Sequence, residues 1–167
     1  MLSVLIPTLN DEAVLGRALA PLVAAAVSGL VREVIIADGG SSDASLEIAD
    51  DAGCRILAGQ PPLEPRLRAA AETAKAEWLM ILEPCVQVLP GWEPMVRQHL
   101  DARPGEDACL SVIDPARAGV TAWMGSLFGK GGRRDVMIVR RDAFIRGGRR
   151  GSLKRLPGCA LLIRESR

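Results

Sequence analysis

The chain has 167 residues, 49% of them hydrophobic and 25% charged, with a mean hydropathy of +0.18; that is enough for one substantial core and too little for two. Its apolar runs stay well short of the roughly 20 residues of a bilayer span, and the first residues are not a signal segment, so a soluble cytoplasmic protein is expected. The formal charge is only +1, and aromatics are 3% of residues with none interleaved among the arginines, which excludes a stacking platform for nucleic acid.

In chain order, apolar stretches of strand length alternate with helix-like ones, the pattern of a mainly parallel sheet covered by helices. Ser3–Ile6 predicts the first strand and runs into Pro7-Thr8-Leu9-Asn10-Asp11-Glu12. In the helix that follows, Leu15, Leu19, Leu22, Val23 and Ala26 recur at helical spacing, and Pro21 weakens the middle. Glu33–Ala37 predicts the second strand, followed by Asp38-Gly39-Gly40-Ser41-Ser42-Asp43. Paired glycines let the backbone turn sharply and approach a ligand. Asp38 then has two uses: a carboxylate at the ligand-binding edge of a parallel sheet, or a cap on the glycine turn. A helix is expected from Ser41 or Ser42, either hydroxyl serving as its cap, with Leu46, Ala49 and Ala52 inward.

Cys54–Leu57 predicts the third strand. Pro61-Pro62-Leu63-Glu64-Pro65 predicts a stiff connection that is not helical throughout, and Arg66–Lys75 a helix. Trp78–Leu82 is the next strand, then Glu83-Pro84-Cys85, and Pro90-Gly91-Trp92 turns the chain into a helix to about Ala102. Ala108–Ile113, Val136–Arg140 and Cys159–Ile163 complete the strands; Trp123, Met124, Leu127 and Phe128 read as a helix packed on the sheet or an apolar edge for a partner. Gly129–Arg134 and Gly147–Gly151 read as loops. The four cysteines lie far apart with only His99 to join them, so buried thiols are expected rather than a zinc site or disulfides.

From Gly129 to Arg167 there are twelve Lys or Arg against three carboxylates, and in the remainder nine against seventeen. Such polarity points to an anionic partner for the C-terminal quarter: a diphosphate, an acidic or lipid-linked acceptor, or the inner face of a membrane; a solvated basic face is the alternative. Lys130, Arg133 and Arg134 are the candidate phosphate ligands, since the guanidinium fork pairs with phosphate oxygens.

The pair SVLIPTLNDE and EVIIADGGSSD resembles the opening of the family 2 glycosyltransferases, particularly the short bacterial ones. The similarity continues through Trp78–Leu82, the turn Leu89-Pro90-Gly91-Trp92, and Asp135–Phe144 with Gly147-Gly148. It implies a single α/β domain of the GT-A type over residues 1–167, a mainly parallel sheet with helices on both faces, residues 1–90 binding the nucleotide and 91–167 facing the acceptor. It also implies that Pro7, Thr8 and Leu9 line the base, that Glu12 lies near the ribose, and that Asp38 accepts the imide N–H of a uracil-type base beside Gly39 and Gly40. Arg66 would reach Asp38 or the nucleotide.

Where the family carries an Asp-x-Asp that holds Mg²⁺ or Mn²⁺, this chain has Glu83-Pro84-Cys85. Only Glu83 is a hard oxygen ligand there; Cys85 is soft and poorly suited to magnesium, with manganese left open. The Glu-Asp pair expected after Gly148, whose aspartate deprotonates the acceptor in inverting members, is absent, which leaves Glu83, Asp135 and Asp142 as candidate catalytic carboxylates. The resemblance thus implies transfer of a sugar from a nucleotide-diphosphate donor, a UDP-sugar, to an unknown acceptor; where the chain departs from the metal motif, either a Mn²⁺ or Mg²⁺ ion on Glu83 or cationic side chains in its place could neutralise the diphosphate. The alternative is an inactive GT-A-fold protein that binds a nucleotide or a partner. A dinucleotide-binding domain is excluded, because spaced glycines do not follow the first strand. The sugar-transfer reading leans on the Asp38 carboxylate projecting into a cleft beside the loop that starts at Pro7.

Overall fold

Four short runs rich in Val, Ile and Leu become parallel neighbours: β1 (Leu2–Thr8), β2 (Val31–Asp38), β3 (Arg55–Ala58) and β4 (Trp78–Ile81). The computed structural model describes residues 1–59, 62–103, 106–113, 136–147 and 154–162. With β5 (Val86–Val88), β6 (Ala108–Ile113), β7 (Val136–Arg140) and β8 (Lys154–Leu162), the strands form one sheet in the order β3-β2-β1-β4-β7-β6-β8-β5. The β4/β7, β7/β6 and β8/β5 pairs are antiparallel, and β6/β8 is parallel. The helices are α1 (Glu12–Val27), α2 (Ser45–Asp51), α3 (Leu63–Thr73), α4 (Trp92–Ala102) and α5 (Arg141–Ile145).

Because strand side chains alternate, the sheet buries two faces. Leu2, Val4 and Ile6 of β1 join Ile36, Met80 and Ile138 under α1, α2 and α4. Leu5, Ile35, Leu79, Ile81 and Val139 face the other way, against Ala70, Ala71 and Ala74 at the inner edge of α3 and the partly buried Phe144 and Ile145 of α5. Among the described residues no helix is long and apolar enough to cross a membrane.

Several boundaries differ from expectation. Helix α1 is rotated: Val14, Ala18 and Ala25 are buried with Leu15, Leu19 and Leu22, whereas Val23 and Ala26 face outward. It runs unbroken through Pro21. Helix α2 starts at Ser45, after the expected serines, whose side chains serve the preceding loop; Ala49 is buried, Leu46 half-buried and Ala52 exposed. Helix α3 starts at Leu63 and contains Pro65. A proline in the first helical turn sacrifices no hydrogen bond, since amides there have no intrahelical partner. Strand β5 is only three residues long, too short for periodicity to reveal, and β8 starts before Cys159. Of the cysteines, Cys109 is buried as expected, while Cys54 and Cys85 are half-buried, and burial pushes the Cys54 thiol up to about 11. His99 is a buried structural side chain, its Nε2 lying 2.8 Å from the Glu106 carbonyl and its ring edge-on to Trp78.

The end of the sheet away from the cleft is tied by Glu33. Its Oε1 accepts the Ser3 hydroxyl at 2.7 Å and the Lys75 amide at 2.6 Å, and its Oε2 lies 3.3 Å from Arg55 Nε. Burial alone would raise the Glu33 carboxyl, but the Lys75 amide, the Ser3 hydroxyl and the charges of Arg55 and Lys75 outweigh it and hold it below 4.5. A lowered carboxyl stabilises the fold above its unfolded value, and the contribution is lost as pH falls through the folded value. Glu33→Gln should therefore cost about 1–2 kcal/mol at pH 7 and flatten the loss of stability below pH 4.5, as urea titrations at a series of pH values would read.

Candidate functional site

The chain leaves β1, goes to β2 and β3 on one side, then crosses back to β4 on the other. Strand order reverses between β1 and β4, and a crevice opens at the carboxyl ends of the strands at such a switch. A cleft of about 830 Å³ lies there, a size that suits a small-molecule ligand. Pro7, Thr8, Leu9 and Asp11 at the end of β1 and Ile81, Glu83, Pro84 and Cys85 at the end of β4 line it. One wall is α3, through Leu63, Glu64, Arg66, Leu67 and Arg68; the other is built by Asp107, Met137, Val139, Ala143, Phe144 and Gly147.

Of the expected site residues, the structure brings Pro7, Thr8, Leu9, Arg66 and Glu83 to this cleft. It does not bring Asp38 there. Asp38 ends β2, on the far side of β1 from the crevice, and is 1% exposed. Its carboxylate accepts the Gly40 amide at 2.8 Å, the Ser41 amide at 3.1 Å and the Ser41 hydroxyl at 2.6 Å. Of its two uses, the structure shows the cap on the glycine turn; the expectation that it projects into the cleft is corrected, and the sugar-transfer reading loses that contact and has to stand on the cleft itself. Arg66 makes no ion pair with it.

Glu12 is likewise engaged by the protein. Its Oε2 accepts the Ala44 amide at 2.8 Å, and its own amide donates to Asp43 Oδ2 at 3.1 Å. Asn10, in the left-handed region at φ 55°, accepts the Ser42 amide at 2.8 Å and donates its amide to the Ser41 hydroxyl at 3.0 Å. The Asp11 amide donates to the Ser45 hydroxyl at 2.8 Å. The loop after β1 and the loop after β2 are thus laced together by short polar side chains accepting and donating to each other's backbone, which fixes the Pro7-Thr8-Leu9 edge of the cleft without a regular element. Asp43 is held below its ordinary value: burial pushes it up, but Ser45 and the neighbouring backbone amides more than offset that.

Gly39 matters by what it lacks. A β-carbon there would sit 2.1 Å from Nη1 of Arg66, so the guanidinium lies against the glycine backbone. The Arg66 stem passes Gly59, where a β-carbon would meet its Cγ at 3.5 Å. The buried Nε of Arg66 has no hydrogen-bond partner. Gly40 turns at φ +97°, a backbone conformation that favours glycine.

At the position where a metal is implied, Cys85 Sγ donates to Glu83 Oε2 at 3.6 Å. Among the described residues no group of three or more His, Cys, Asp or Glu is placed to hold an ion. A divalent cation on a diphosphate takes one or two protein carboxylates and fills its remaining positions with phosphate and water oxygens; here Glu83 is one such carboxylate, and the residue two beyond it offers a soft thiol in place of a second. Lys130, Arg133, Arg134 and Asp135 lie outside the described residues, as do Arg149 and Arg150. Asp142, a candidate catalytic carboxylate, is not among the cleft residues: it lies in the first turn of α5 and bonds Arg146 at 2.9 Å. Sequence reasoning missed Arg68, Asp107, Met137 and Phe144 as cleft residues; they carry no local signature, and only the β7/α5 and α3 packing brings them to one cleft.

The family model described as "Glycosyl transferase family 2" matches residues 3–166. No curated protein matches the chain in sequence. Among solved structures, glucosyl-3-phosphoglycerate synthase from Mycobacterium tuberculosis with Mn²⁺, UDP and glucosyl-3-phosphoglycerate aligns at TM-score 0.61 and 19% identity, over 85% of this chain and 57% of that one. The same enzyme with Mn²⁺ and UDP-glucose aligns at TM-score 0.61 and 20% identity, over 85% and 56%. S. aureus TarS aligns at 0.53 and 16%, over 68% of this chain and 21% of that one. At such identities the likeness is one of fold, and the chain spans a little over half the length of the synthase.

Proposed function

The chain belongs to glycosyl transferase family 2, and from that premise we propose that it takes a sugar from a nucleotide-diphosphate donor, a UDP-sugar, and passes it to an acceptor hydroxyl. The observation that carries this reading is the cleft at the β1/β4 crossing, bounded on one side by the Pro7-Thr8-Leu9 edge and on the other by Glu83. Structures of the same fold that hold UDP or UDP-glucose support the choice of donor.

In this proposal Pro7 and Leu9 pack on the base, with the buried Thr8 supporting that edge from behind, and Arg66 faces the diphosphate. Asp38, Glu12, Gly39 and Gly40 act indirectly, by shaping the loop that holds that edge and leaving room for Arg66. The acceptor oxygen bonds to the anomeric carbon as the bond from that carbon to the diphosphate breaks. The acceptor's proton passes to a carboxylate, for which Glu83 and Asp135 are the candidates, and the diphosphate leaves with the electron pair. Residues 1–90 form the nucleotide half and 91–167 the acceptor side, where the basic C-terminal segment, with Lys130, Arg133 and Arg134 on the phosphates, would meet an anionic or lipid-linked acceptor.

A second reading, a nucleotide-binding module without transfer, is favoured by the Glu83-Pro84-Cys85 substitution and the missing Glu-Asp pair. Incubation with a panel of nucleotide sugars and detection of released UDP separates the two. Release of UDP that falls at least about tenfold in Glu83→Gln supports transfer chemistry; binding with no release supports the module; neither binding nor release removes both.

A further inference from the structure

We propose that the cleft takes its nucleoside diphosphate without a divalent cation, that Arg66 supplies the positive charge instead, and that Cys85 is the residue that keeps the cation out. This rests on the transferase reading and deepens it.

A diphosphate adds negative charge to a cleft whose described lining already holds Asp11, Glu64, Glu83 and Asp107 against Arg66 and Arg68. Compensation must come from an ion or from the chain. For an ion the chain offers one carboxylate where a pair would hold it more firmly, because the residue two beyond Glu83 is a thiol, a soft donor that hard oxygen-seeking cations do not select, and it already donates to that carboxylate. Arg66 answers the need. Arg68 lies 3.9 Å from Glu64, Arg55 3.3 Å from Glu33, and Arg146 2.9 Å from Asp142, yet no described carboxylate pairs with Arg66.

Its Nε is buried without a partner, a desolvation cost that an anionic ligand would offset. Asp38, the carboxylate next to the Gly39 turn, does not quench it, being committed to Gly40 and Ser41. Two glycines, Gly59 under the stem and Gly39 under the fork, give this one side chain its bed. A planar fork with parallel N–H groups is suited to two phosphate oxygens at once, so among the described cleft residues Arg66 is the one placed to supply the charge that a bound ion would otherwise bring.

Calorimetric titration of the full chain with UDP, in EDTA and again in Mn²⁺, tests this. The affinities should agree within about twofold, Arg66→Ala should lose about tenfold or more in both buffers, and Arg66→Lys, keeping charge without the fork, should lose less. Cys85→Asp, which places a second carboxylate beside Glu83, should bind at least about tenfold tighter with Mn²⁺ than with EDTA. Binding by the native chain that EDTA abolishes overturns the inference and leaves the transferase reading standing; binding in neither buffer overturns both. If Cys85→Asp does not fold, electron paramagnetic resonance of Mn²⁺ with UDP and the native chain decides. An unchanged free-ion signal relative to UDP alone supports the inference, and a depressed one overturns it.

Discussion

Asp38→Ala is expected to lower the free energy of unfolding by roughly 3 kcal/mol and to take UDP binding with it. The carboxylate is 1% exposed and accepts two backbone amides and one hydroxyl. Its removal strands the Gly40 and Ser41 amides and frees a serine whose hydroxyl also accepts the Asn10 amide. Damage to the loop after β2 therefore passes directly to the loop after β1, which forms one edge of the cleft. Asp38→Asn should be milder, since the amide keeps one acceptor oxygen but turns a donor toward other donors. Chemical denaturation and calorimetry with UDP, run on the same protein, give the two numbers. If Asp38→Ala kept native stability within about 0.5 kcal/mol yet lost UDP, the carboxylate would be touching the ligand directly and the capping role assigned here would be wrong.

Gly39→Ala is expected to do the opposite: little change in stability, and a loss of UDP affinity of at least about tenfold. The backbone of Gly39 needs no left-handed conformation, and its amide bond to the Thr8 carbonyl at 2.8 Å is open to any residue. What a methyl group meets is Nη1 of Arg66 at 2.1 Å, the far end of a flexible side chain that can swing away at small cost. The swing removes the guanidinium from the cleft. Native affinity in Gly39→Ala, with the Arg66→Ala loss still present, would mean that Arg66 binds from another rotamer. Loss of stability of more than about 1.5 kcal/mol would mean that the contact is structural.

The local chemistry of the elements was legible in sequence. The strands at Ala108–Ile113 and Val136–Arg140 fall where their β-branched runs lie, and the turn at Gly91, with φ +88°, opens α4 where Pro90-Gly91-Trp92 announced it. Helix α3 shows the limit of local reading. Three prolines around its start spoke for an extended connection, but only the position of Pro65 within the first turn decides whether it breaks a helix. The rotation of α1 could not be read from period alone, because Val23 and Ala26 fit an apolar stripe as well as Val14 and Ala25 do; packing on β2, β5 and α2 selects between them.

By itself the sequence determined the family, the alternation of strands and helices, and the loop residues at the ends of β1 and β4, because backbone preference, periodicity and short motifs are local. The tertiary structure decided that Asp38 is committed to a turn and that, among the described residues of the cleft, Arg66 has no ion-pair partner. Strand order put the crevice between β1 and β4, so that Asp38 on the other side of β1 became a cap. Two glycines separated in sequence let one arginine of α3 lie against the turn. Both outcomes depend on distances between elements far apart in the chain, which no stretch of sequence encodes alone.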